Sequence, residues 1–265
     1  MADLVARIAE NYRGLSPQEQ RAADFMRDHV ADLAVYNSTE VARLSGVSKA
    51  TVSRLYRRLG FANAEALREH VRSLRAAGTP LASETPASHA AHLDHELANL
   101  RAALAGLDLA PAASLIASAR RVIVVGFRNS YPMALHLRQQ LAQARAGVEL
   151  APLPGQSIGE ELAALSADDV VVLVGFRRRP QGFSRMVALV ESSAARSVLL
   201  TDAPRLGHDV VIEVRVDSVT AFDSYAAAAS VVSLLAAAVL GADLPAGRAR
   251  IAAIGGNYRE LDELE

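Results

Sequence analysis

Apolar residues recur at intervals of three and four positions through the first 75 residues, a spacing that predicts short amphipathic helices packed on one another. Ser16, Pro17 and Glu19 mark one clear helix start. A capping serine, a proline at the first helical position and a glutamate three residues after the cap suit the free amides of a first turn. Apolar stripes lie on both sides of this start: Leu4, Val5 and Ile8, and then Ala22, Phe25, Met26 and Val30.

The stretch 37–61 has the spacing of two short helices joined by a tight turn. Asn37 is a good cap for the first helix, with Glu40 three residues later to reach back to the free amides. Gly46 falls where the chain must turn, Ser48 can cap the second helix, and Gly60 is a natural left-handed stop. The apolar positions expected to face the core are Val41, Leu44, Val47, Val52, Leu55 and Leu59.

With its apolar side buried, the second helix would present a basic side to solvent. Such a helix fits the DNA major groove, with its first residues at base edges and its later arginines near phosphates. The alternative is an ordinary helical hairpin whose basic face is only solvated. The joint spacing of caps, glycine and apolar positions favours DNA binding, through Ser48, Lys49, Ala50, Thr51, Ser53, Arg54, Arg57 and Arg58.

Charge is unevenly distributed along the chain. The 265 residues carry a formal net charge of −1, but residues 40–78 hold eight basic and three acidic side chains, a net charge of +5. A local positive field on a helical module attracts a phosphate backbone.

The absence of cysteine excludes a disulfide scaffold and a thiolate metal site. Charged residues within the first 20 positions argue against a secretory signal, so we expect a cytoplasmic protein without a membrane segment.

The second half of the chain alternates short β-branched runs with helical stretches. This alternation predicts an α/β doubly wound parallel sheet, with a ligand crevice at the carboxyl ends of the strands. An apolar stretch over 225–240 suits a helix that is buried in its own domain and at a subunit interface. The predicted strands are 121–127, 148–151, 170–175, 197–201 and 210–216, and the other predicted helices are 92–107, 131–146, 159–165 and 183–194.

Composition divides the chain into regions. A stretch rich in Ala, Ser, Thr, Pro and Gly reads as a linker between an all-α domain and the α/β domain. The predicted regions are a helix-turn-helix domain at 1–77, the linker at 78–90, an effector-sensing and oligomerisation domain at 91–245 and a C-terminal tail at 246–265. His89, His92 and His95 have a spacing that could serve a metal, but no carboxylate or cysteine stands in register, so solvent-facing histidines are the better reading. We predict no metal and no cofactor.

The order of parts resembles the RpiR/MurR family of bacterial transcriptional regulators, which carry an N-terminal helix-turn-helix and a C-terminal SIS (sugar isomerase) domain. The resemblance implies a phosphosugar or related effector, dimers or tetramers, palindromic operators, and repression as the more usual mode of control. The stretches that carry it are residues 15–24, Val41–Phe61 with Ser-x-x-Thr-Val-x-Arg and Leu-Gly-Phe, Ala167-Asp-Asp169, and Leu200-Thr-Asp202.

Two SIS motifs depart from the family pattern. The family's Gly-x-Gly-x-Ser, whose glycine and serine cap a phosphate-holding helix, falls on Gly126 to Ser130 with Arg128 in place of the second glycine. The family's Ser-x-Ser-Gly-x-Thr falls on residues 175–180 and keeps none of its hydroxyls. The arginines there either clamp an anionic ligand or fill the old site by pairing with acidic residues such as Glu160, Glu161 or Asp223. The candidate effector-binding residues are Gly126, Arg128, Asn129, Ser130, Ser157, Arg177, Arg178 and Arg179.

The sequence therefore predicts a DNA-binding regulator, most simply a repressor, that is controlled by a small anionic metabolite and works as a homodimer or homotetramer. Metabolite binding would change the arrangement of the paired DNA-binding modules. One rival is an SIS-fold sugar-phosphate isomerase with Glu160, Glu161 or His136 as its base, although none stands in a recognisable catalytic setting. The other is a regulator whose pocket is filled by its own arginines and responds to nothing.

Overall fold

The structure is a computed structural model that describes residues 4–30, 33, 36–76, 88–177, 179–203 and 208–263. It divides into two compact units, Met1–His95 with Asp217–Asp223, and Glu96–Val216 with Ser224–Glu265. Each unit has its own hydrophobic core. Of the predicted linker, residues 78–87 lie outside the described part of the chain.

The first unit is helical, as its apolar periodicity predicts. A short 3-10 turn at Tyr12–Gly14 separates the first two helices. The helices are α1 (Leu4–Asn11), α2 (Pro17–Asp28), α3 (Ser38–Ser45), α4 (Lys49–Arg58), α5 (Ala64–Ala76) and the start of α6 (His89–Leu104).

The predicted caps of this unit are present. The Asn37 side chain accepts hydrogen bonds from the amides of Thr39 and Glu40, and Glu40 Oε2 accepts one from the Asn37 amide at 2.8 Å. Gly46 ends α3 with a φ of 67°, a left-handed conformation that glycine adopts without cost. Ser48 Oγ accepts from the Thr51 amide at 3.1 Å and so starts α4. These local contacts set where α3 ends and α4 begins.

The core of the helical unit contains most of the predicted positions. Val52, Leu55 and Leu59 are buried on the inner side of α4. The prediction for Leu44 is wrong, because its side chain is 41% exposed. The buried face of α3 is made by Val41, Ala42 and Ser45, and at 100° per residue this places Leu44 on the flank of the helix.

The second unit is built on one parallel five-stranded sheet in the order β2-β1-β3-β4-β5, which confirms the predicted fold class. The strands are rich in valine and leucine and are buried on both faces in the middle of the sheet, as crossover helices require. The strands are β1 (Arg121–Gly126), β2 (Val148–Ala151), β3 (Asp169–Gly175), β4 (Arg196–Thr201) and β5 (Val210–Glu213).

Helices cover both faces of the sheet. The apolar helix α11 (Ala226–Ala242) packs against α7 (Ala110–Ser118) and α8 (Tyr131–Ala144) and buries one face along its length, while Leu234 remains 45% exposed. The helices are α7 (Ala110–Ser118), α8 (Tyr131–Ala144), α9 (Gly159–Ala163), α10 (Phe183–Ser192), α11 (Ala226–Ala242) and α12 (Leu244–Leu261).

Two helices differ from the sequence prediction. α7 was not foreseen, since its alanine-rich sequence gives little periodic contrast. Most of the stretch interpreted as a C-terminal tail is the helix α12, which starts at a cap formed by Asp243 on the Ala246 amide at 3.2 Å. No single helix in the described ranges has the length and apolar composition to cross a membrane, and α11 with α12, bent by 109°, passes that test only when both are taken together.

Candidate functional site

The outer side of α4 is exposed and basic. Lys49, Ala50, Ser53, Arg54 and Arg57 all face solvent, as the sequence predicts for this helix. Val52 and Leu55 are fully buried on the opposite side, so the orientation of α4 is set by its own apolar stripe. The α4 surface, defined by these five exposed residues, is therefore a single face of one helix.

The cations of the α4 surface are available to a partner. Within the described residues, the side chains of Lys49 and Arg57 form no hydrogen bond and no ion pair. Arg54 Nη2 donates one hydrogen bond, 3.3 Å long, to Thr51 Oγ1 on the preceding turn. A guanidinium keeps several donors after a single contact of this kind, so Arg54 still has a donor pair for a base edge or a phosphate.

Two of the predicted DNA-contacting residues have structural partners instead. Thr51 is only 5% exposed, and its hydroxyl lies 2.9 Å from that of Ser48 within the helix cap. Arg58 Nη1 donates to the Gly14 carbonyl at 2.7 Å, and its Nε lies 3.4 Å from Glu19 Oε1. Their proposed DNA contacts remain predictions, but the contacts observed tie Thr51 to the cap and Arg58 to α2.

Glu19 is the acidic partner of Arg58. The Glu19 side chain is 3% exposed and accepts hydrogen bonds from both the amide and the hydroxyl of Ser16. The Ser16 amide is the largest influence on this carboxyl and, against the cost of burial, holds its pKa below the usual value, with further help from Arg58. A buried ionised carboxylate requires such partners, and Arg58 is the cation that reaches it.

The second candidate region lies at the carboxyl edge of the parallel sheet. β1 has β2 on one side and β3 on the other, so the crossovers diverge between β1 and β3. Such a divergence leaves a crevice where ligands of doubly wound sheets bind. The loop after β1 carries Arg128, Asn129 and Ser130, and the loop after β3 carries Arg177 and Arg179. The fold thus brings both predicted motifs to the same edge, on either side of the crevice.

Ser130 links the two loops across the crevice. Its hydroxyl accepts a hydrogen bond from the Phe176 amide at 3.1 Å, and Ser130 is 3% exposed. It makes no capping hydrogen bond to α8, unlike the arrangement expected from the family motif. The residues Arg128–Ser130 form a short 3-10 turn before α8.

Gly126 allows close helix packing, whereas Arg128 has a left-handed backbone conformation. A Cβ on Gly126 would lie 2.6 Å from the Ala134 Cβ, so this glycine permits the close approach of α8 to β1. Arg128 has a φ of 52°, in the left-handed region that favours glycine. The Arg128 side chain is exposed, and among the residues that the structure describes it makes no hydrogen bond or ion pair. An arginine in a strained backbone conformation with an unused guanidinium is a candidate for a functional role.

Arg177 and Arg179 converge on Asp202. Arg177 Nε donates to Asp202 Oδ2 at 3.1 Å, and Arg179 Nη2 contacts the other oxygen, Oδ1. Arg179 is further held by the Gly175 carbonyl at 2.7 Å and by Thr201 Oγ1 at 3.0 Å. Asp202 was not among the acidic partners that the sequence suggested. The signal was present in Leu200-Thr-Asp202, which closes β4, but the pairing depends on β3 and β4 being neighbours.

The remaining candidate residues make few contacts. Asn129 and Ser157 are exposed, and Ser157 Oγ donates to Glu160 Oε2 at 3.1 Å in the loop before α9. Arg178 lies outside the described residues.

Of the possible isomerase bases, His136 is exposed on α8, and Glu161 lines a cavity of about 470 Å³ beside the edge strand β2. Neither lies in the loops after β1 and β3.

The histidines of α6 show no metal arrangement. His95 Nε2 lies 2.9 Å from Asp217 Oδ2, so His95 is paired with a carboxylate rather than solvated as predicted. Across the described residues, no group of three or more His, Asp or Glu side chains is placed to hold a metal ion.

The sequence was also compared with known families and structures. Residues 2–76 match the family model for the helix-turn-helix domain of the rpiR family, and residues 115–238 match the model for the SIS domain. None of the curated proteins matches this chain. The two matched regions correspond to the helical unit and to most of the unit built on the parallel sheet.

Two solved structures show the same architecture. One is the sugar isomerase domain of an RpiR transcription factor from Sphaerobacter thermophilus, at 23% identity over 65% of this chain and 97% of that one, with a TM-score of 0.56. The other is the Vibrio vulnificus NanR protein complexed with ManNAc-6P, at 18% identity over 98% of this chain and 99% of that one, with a TM-score of 0.59. At these identities the likeness establishes the fold.

Proposed function

The chain belongs to the RpiR family of helix-turn-helix proteins with a SIS domain, and from this we propose that it is a sequence-specific DNA-binding regulator controlled by a small anionic metabolite. The observation that carries the DNA-binding part is the α4 surface. It is a capped helix whose outer side holds Lys49, Arg54 and Arg57, and among the described residues no acidic side chain forms an ion pair with these three cations. Its inner side is fully used by the core.

The α4 surface suits the major groove. Ser48, Lys49 and Ala50 stand at the N-terminal end of α4, the end that enters the groove in helix-turn-helix complexes. Arg54 is placed to donate to a base edge, and Arg57, one turn further along, is placed at the phosphate backbone. A single module of this size reads few base pairs, so we propose that two copies bind the two halves of a palindromic operator and that the homodimer or homotetramer acts as a repressor in the cytoplasm.

The metabolite part rests on the carboxyl edge of the sheet. Arg128 extends from a strained turn beside the crevice, and Arg177 and Arg179 stand on the other side of it. An edge with three guanidinium groups favours a phosphate or carboxylate ligand. The NanR structure was obtained with ManNAc-6P, and a sugar phosphate is accordingly the first class to test for this chain. We propose Arg128, Asn129, Ser130, Ser157 and the arginines of 177–179 as the effector-binding residues.

An isomerase is the weaker alternative. The crevice loops, 127–130 after β1 and 176–179 after β3, bring arginines and hydroxyls to the edge, and within their described residues they hold no carboxylate or imidazole to move a proton. Turnover of sugar phosphates by the purified protein, unchanged by loss of the α4 cations, would favour the enzyme.

The decisive experiment is DNA capture by the full-length protein. Sheared DNA of the source genome is incubated with purified protein at low ionic strength, bound fragments are sequenced, and affinity for the enriched site is measured with and without a panel of sugar phosphates. We expect enrichment of a palindromic site and a change in affinity with one metabolite. Arg57→Ala should weaken binding to the enriched site, whereas Arg101→Ala, which changes an exposed arginine on α6, should not. Failure of the wild-type protein to bind any fragment would refute the proposal.

A further inference from the structure

The two arginines after β3 already bind a carboxylate of the same chain. Arg177 and Arg179 each contact a different oxygen of the Asp202 carboxylate. The side chains of Arg177 and Asp202 are 14% and 10% exposed, so the contact is largely shielded from water. Two cations that each bind one oxygen of a carboxylate reproduce the way in which arginines hold the anionic group of a ligand.

The pairing is built from two neighbouring strands. Gly175, the last residue of β3, is in register with Thr201, the last residue of β4. Arg179 bonds to both, through the Gly175 carbonyl and Thr201 Oγ1, and this fixes its guanidinium above the strand ends. Thr201 Oγ1 also donates to the Gly175 carbonyl at 3.1 Å. Asp202 follows immediately, so the backbone delivers its carboxylate to a guanidinium that is already positioned.

Two guanidinium groups share the Asp202 carboxylate, and Arg128 adds a further cation in the facing loop. A ligand that offers more charge or more acceptor oxygens than a carboxylate replaces a tethered carboxylate at a lower concentration. A dianionic phosphate offers both, because it has three terminal oxygens and nearly twice the charge.

We propose that Asp202 is a built-in competitor for the effector: its carboxylate occupies the Arg177–Arg179 pair when no effector is bound, and a phosphorylated effector displaces it. The inference rests on the proposed function, since it concerns the regulation of the same edge. Being tethered, Asp202 competes at a high effective concentration and sets a threshold below which weak anions have no effect. Monocarboxylates are excluded by this threshold, and phosphate esters exceed it.

The test is removal of the competing charge. Asp202→Asn keeps the shape of the side chain and removes its charge, and inorganic phosphate is titrated into the full-length variant and the wild type by calorimetry. We expect phosphate to bind the variant roughly tenfold more tightly or better, the order expected from one charge-assisted hydrogen bond. The matched control is Asp209→Asn, which removes the partner of Arg196 at the opposite end of β4. It should bind phosphate as the wild type does.

A double variant tests whether the gain in phosphate affinity depends on Arg179. Adding Arg179→Gln to Asp202→Asn should abolish the extra affinity, whereas phosphate bound at the α4 surface would be equal in all variants. Loss of Asp202 could also unfold the edge, and thermal unfolding in a phosphate series covers that case. Phosphate should then raise the midpoint of the variant more than that of the wild type, because it binds only the folded state.

Two results would contradict the inference about Asp202. If Asp202→Asn binds phosphate no more tightly than the wild type, or is destabilised to the same extent at every phosphate concentration, Asp202 is a structural tie and the inference is wrong. Operator binding by the wild type is measured on the same preparations. A wild type that binds its operator beside a variant with no gain refutes the competitor alone, whereas a wild type that binds no DNA refutes the proposed function.

Discussion

The hydroxyl of Ser130 accepts a hydrogen bond from the backbone amide of Phe176 at 3.1 Å and so joins the loop after β1 to the loop after β3. Both residues are buried, and the bond spans the crevice at which the crossovers of the sheet diverge. The serine of the first SIS motif therefore holds the loops after β1 and β3 together. A ligand that takes this hydroxyl must release the Phe176 amide or share its acceptor.

Ser130→Ala should destabilise the second unit, since it leaves the Phe176 amide buried without an acceptor. The expected loss in the free energy of unfolding is about 1 to 3 kcal/mol, measured by urea denaturation. Ser118→Ala is the matched control, because that hydroxyl bonds only to carbonyls on the exposed end of α7. It should change the free energy of unfolding by less than about 0.5 kcal/mol. Equal stabilities of the two variants would show that the Ser130 bond contributes nothing.

Arg128 should show opposite effects on stability and on effector response. Its φ of 52° costs an L-residue about 1 kcal/mol relative to glycine. Arg128→Gly should therefore keep or raise the free energy of unfolding, while Arg128→Ala, which retains the strain, should be about 1 kcal/mol less stable than the glycine variant. Both variants should require more metabolite to change operator affinity. An Arg128→Gly variant with a wild-type metabolite response would remove Arg128 from the site.

Replacing Arg54 and replacing Arg57 should have different effects on DNA binding. Arg54→Ala should cost about 1 to 3 kcal/mol of operator affinity and relax the preference at one base pair, as expected for loss of a bidentate base contact. Arg57→Ala should weaken binding to all sequences alike and reduce the slope of log affinity against log salt by about 1. Affinities at several salt concentrations, on operator and on random DNA, separate the two. Wild-type behaviour of both variants would mean that α4 does not read the groove.

Arg58 should matter for stability and little for recognition. Arg58→Ala removes the bond to the Gly14 carbonyl and the cation beside buried Glu19, and, since the guanidinium is half exposed, the expected loss is about 1 kcal/mol. The adjacent Arg57→Ala should leave the free energy of unfolding within about 0.5 kcal/mol of the wild type. If Arg58→Ala instead reduces operator affinity as strongly as Arg57→Ala, at unchanged stability, its role is at the DNA.

Asp169 should make the second unit sensitive to acid. Burial raises the pKa of this carboxyl, but hydrogen bonds from Ser166 and Arg121 outweigh burial and hold the pKa below its usual value. A lowered folded-state pKa stabilises the native state at pH values above the unfolded-state pKa of about 4. This contribution is lost as the pH falls through the folded-state pKa. Asp169→Asn should thus cost about 2 to 4 kcal/mol at pH 7 and progressively less below about pH 4.

The control for this prediction is the neighbouring carboxylate. Asp168 is exposed, so Asp168→Asn should leave the free energy of unfolding nearly unchanged at every pH. A constant difference between Asp169→Asn and the wild type from pH 7 to pH 3, in chemical denaturation, would contradict the assignment of the stabilisation to the ionised form.

The family and the order of the parts were readable without coordinates. Asn37 with Glu40, Gly46 and Ser48 specify α3, its turn and α4 through contacts that reach at most four residues along the chain. The central strands β1 and β3 were recognisable because each is a short β-branched run. The two altered SIS motifs were also visible, since a motif is a matter of spacing. Such features depend on local backbone preference and on hydrophobic periodicity, which a sequence displays directly.

What each side chain contacts depended on tertiary structure. Arg57 and Arg58 are neighbours in the sequence and both basic, yet only Arg58 has Gly14 and Glu19 within reach, because α2 packs beside α4. Arg177 and Arg179 find Asp202 because β3 and β4 pair in register, and Ser130 finds Phe176 because β1 and β3 do. The sequence determined which groups are present and on which element each one lies. Only the packing of elements distant along the chain decided which cations are neutralised and which stay available to a ligand, because electrostatic and hydrogen-bond energies depend on distances in space.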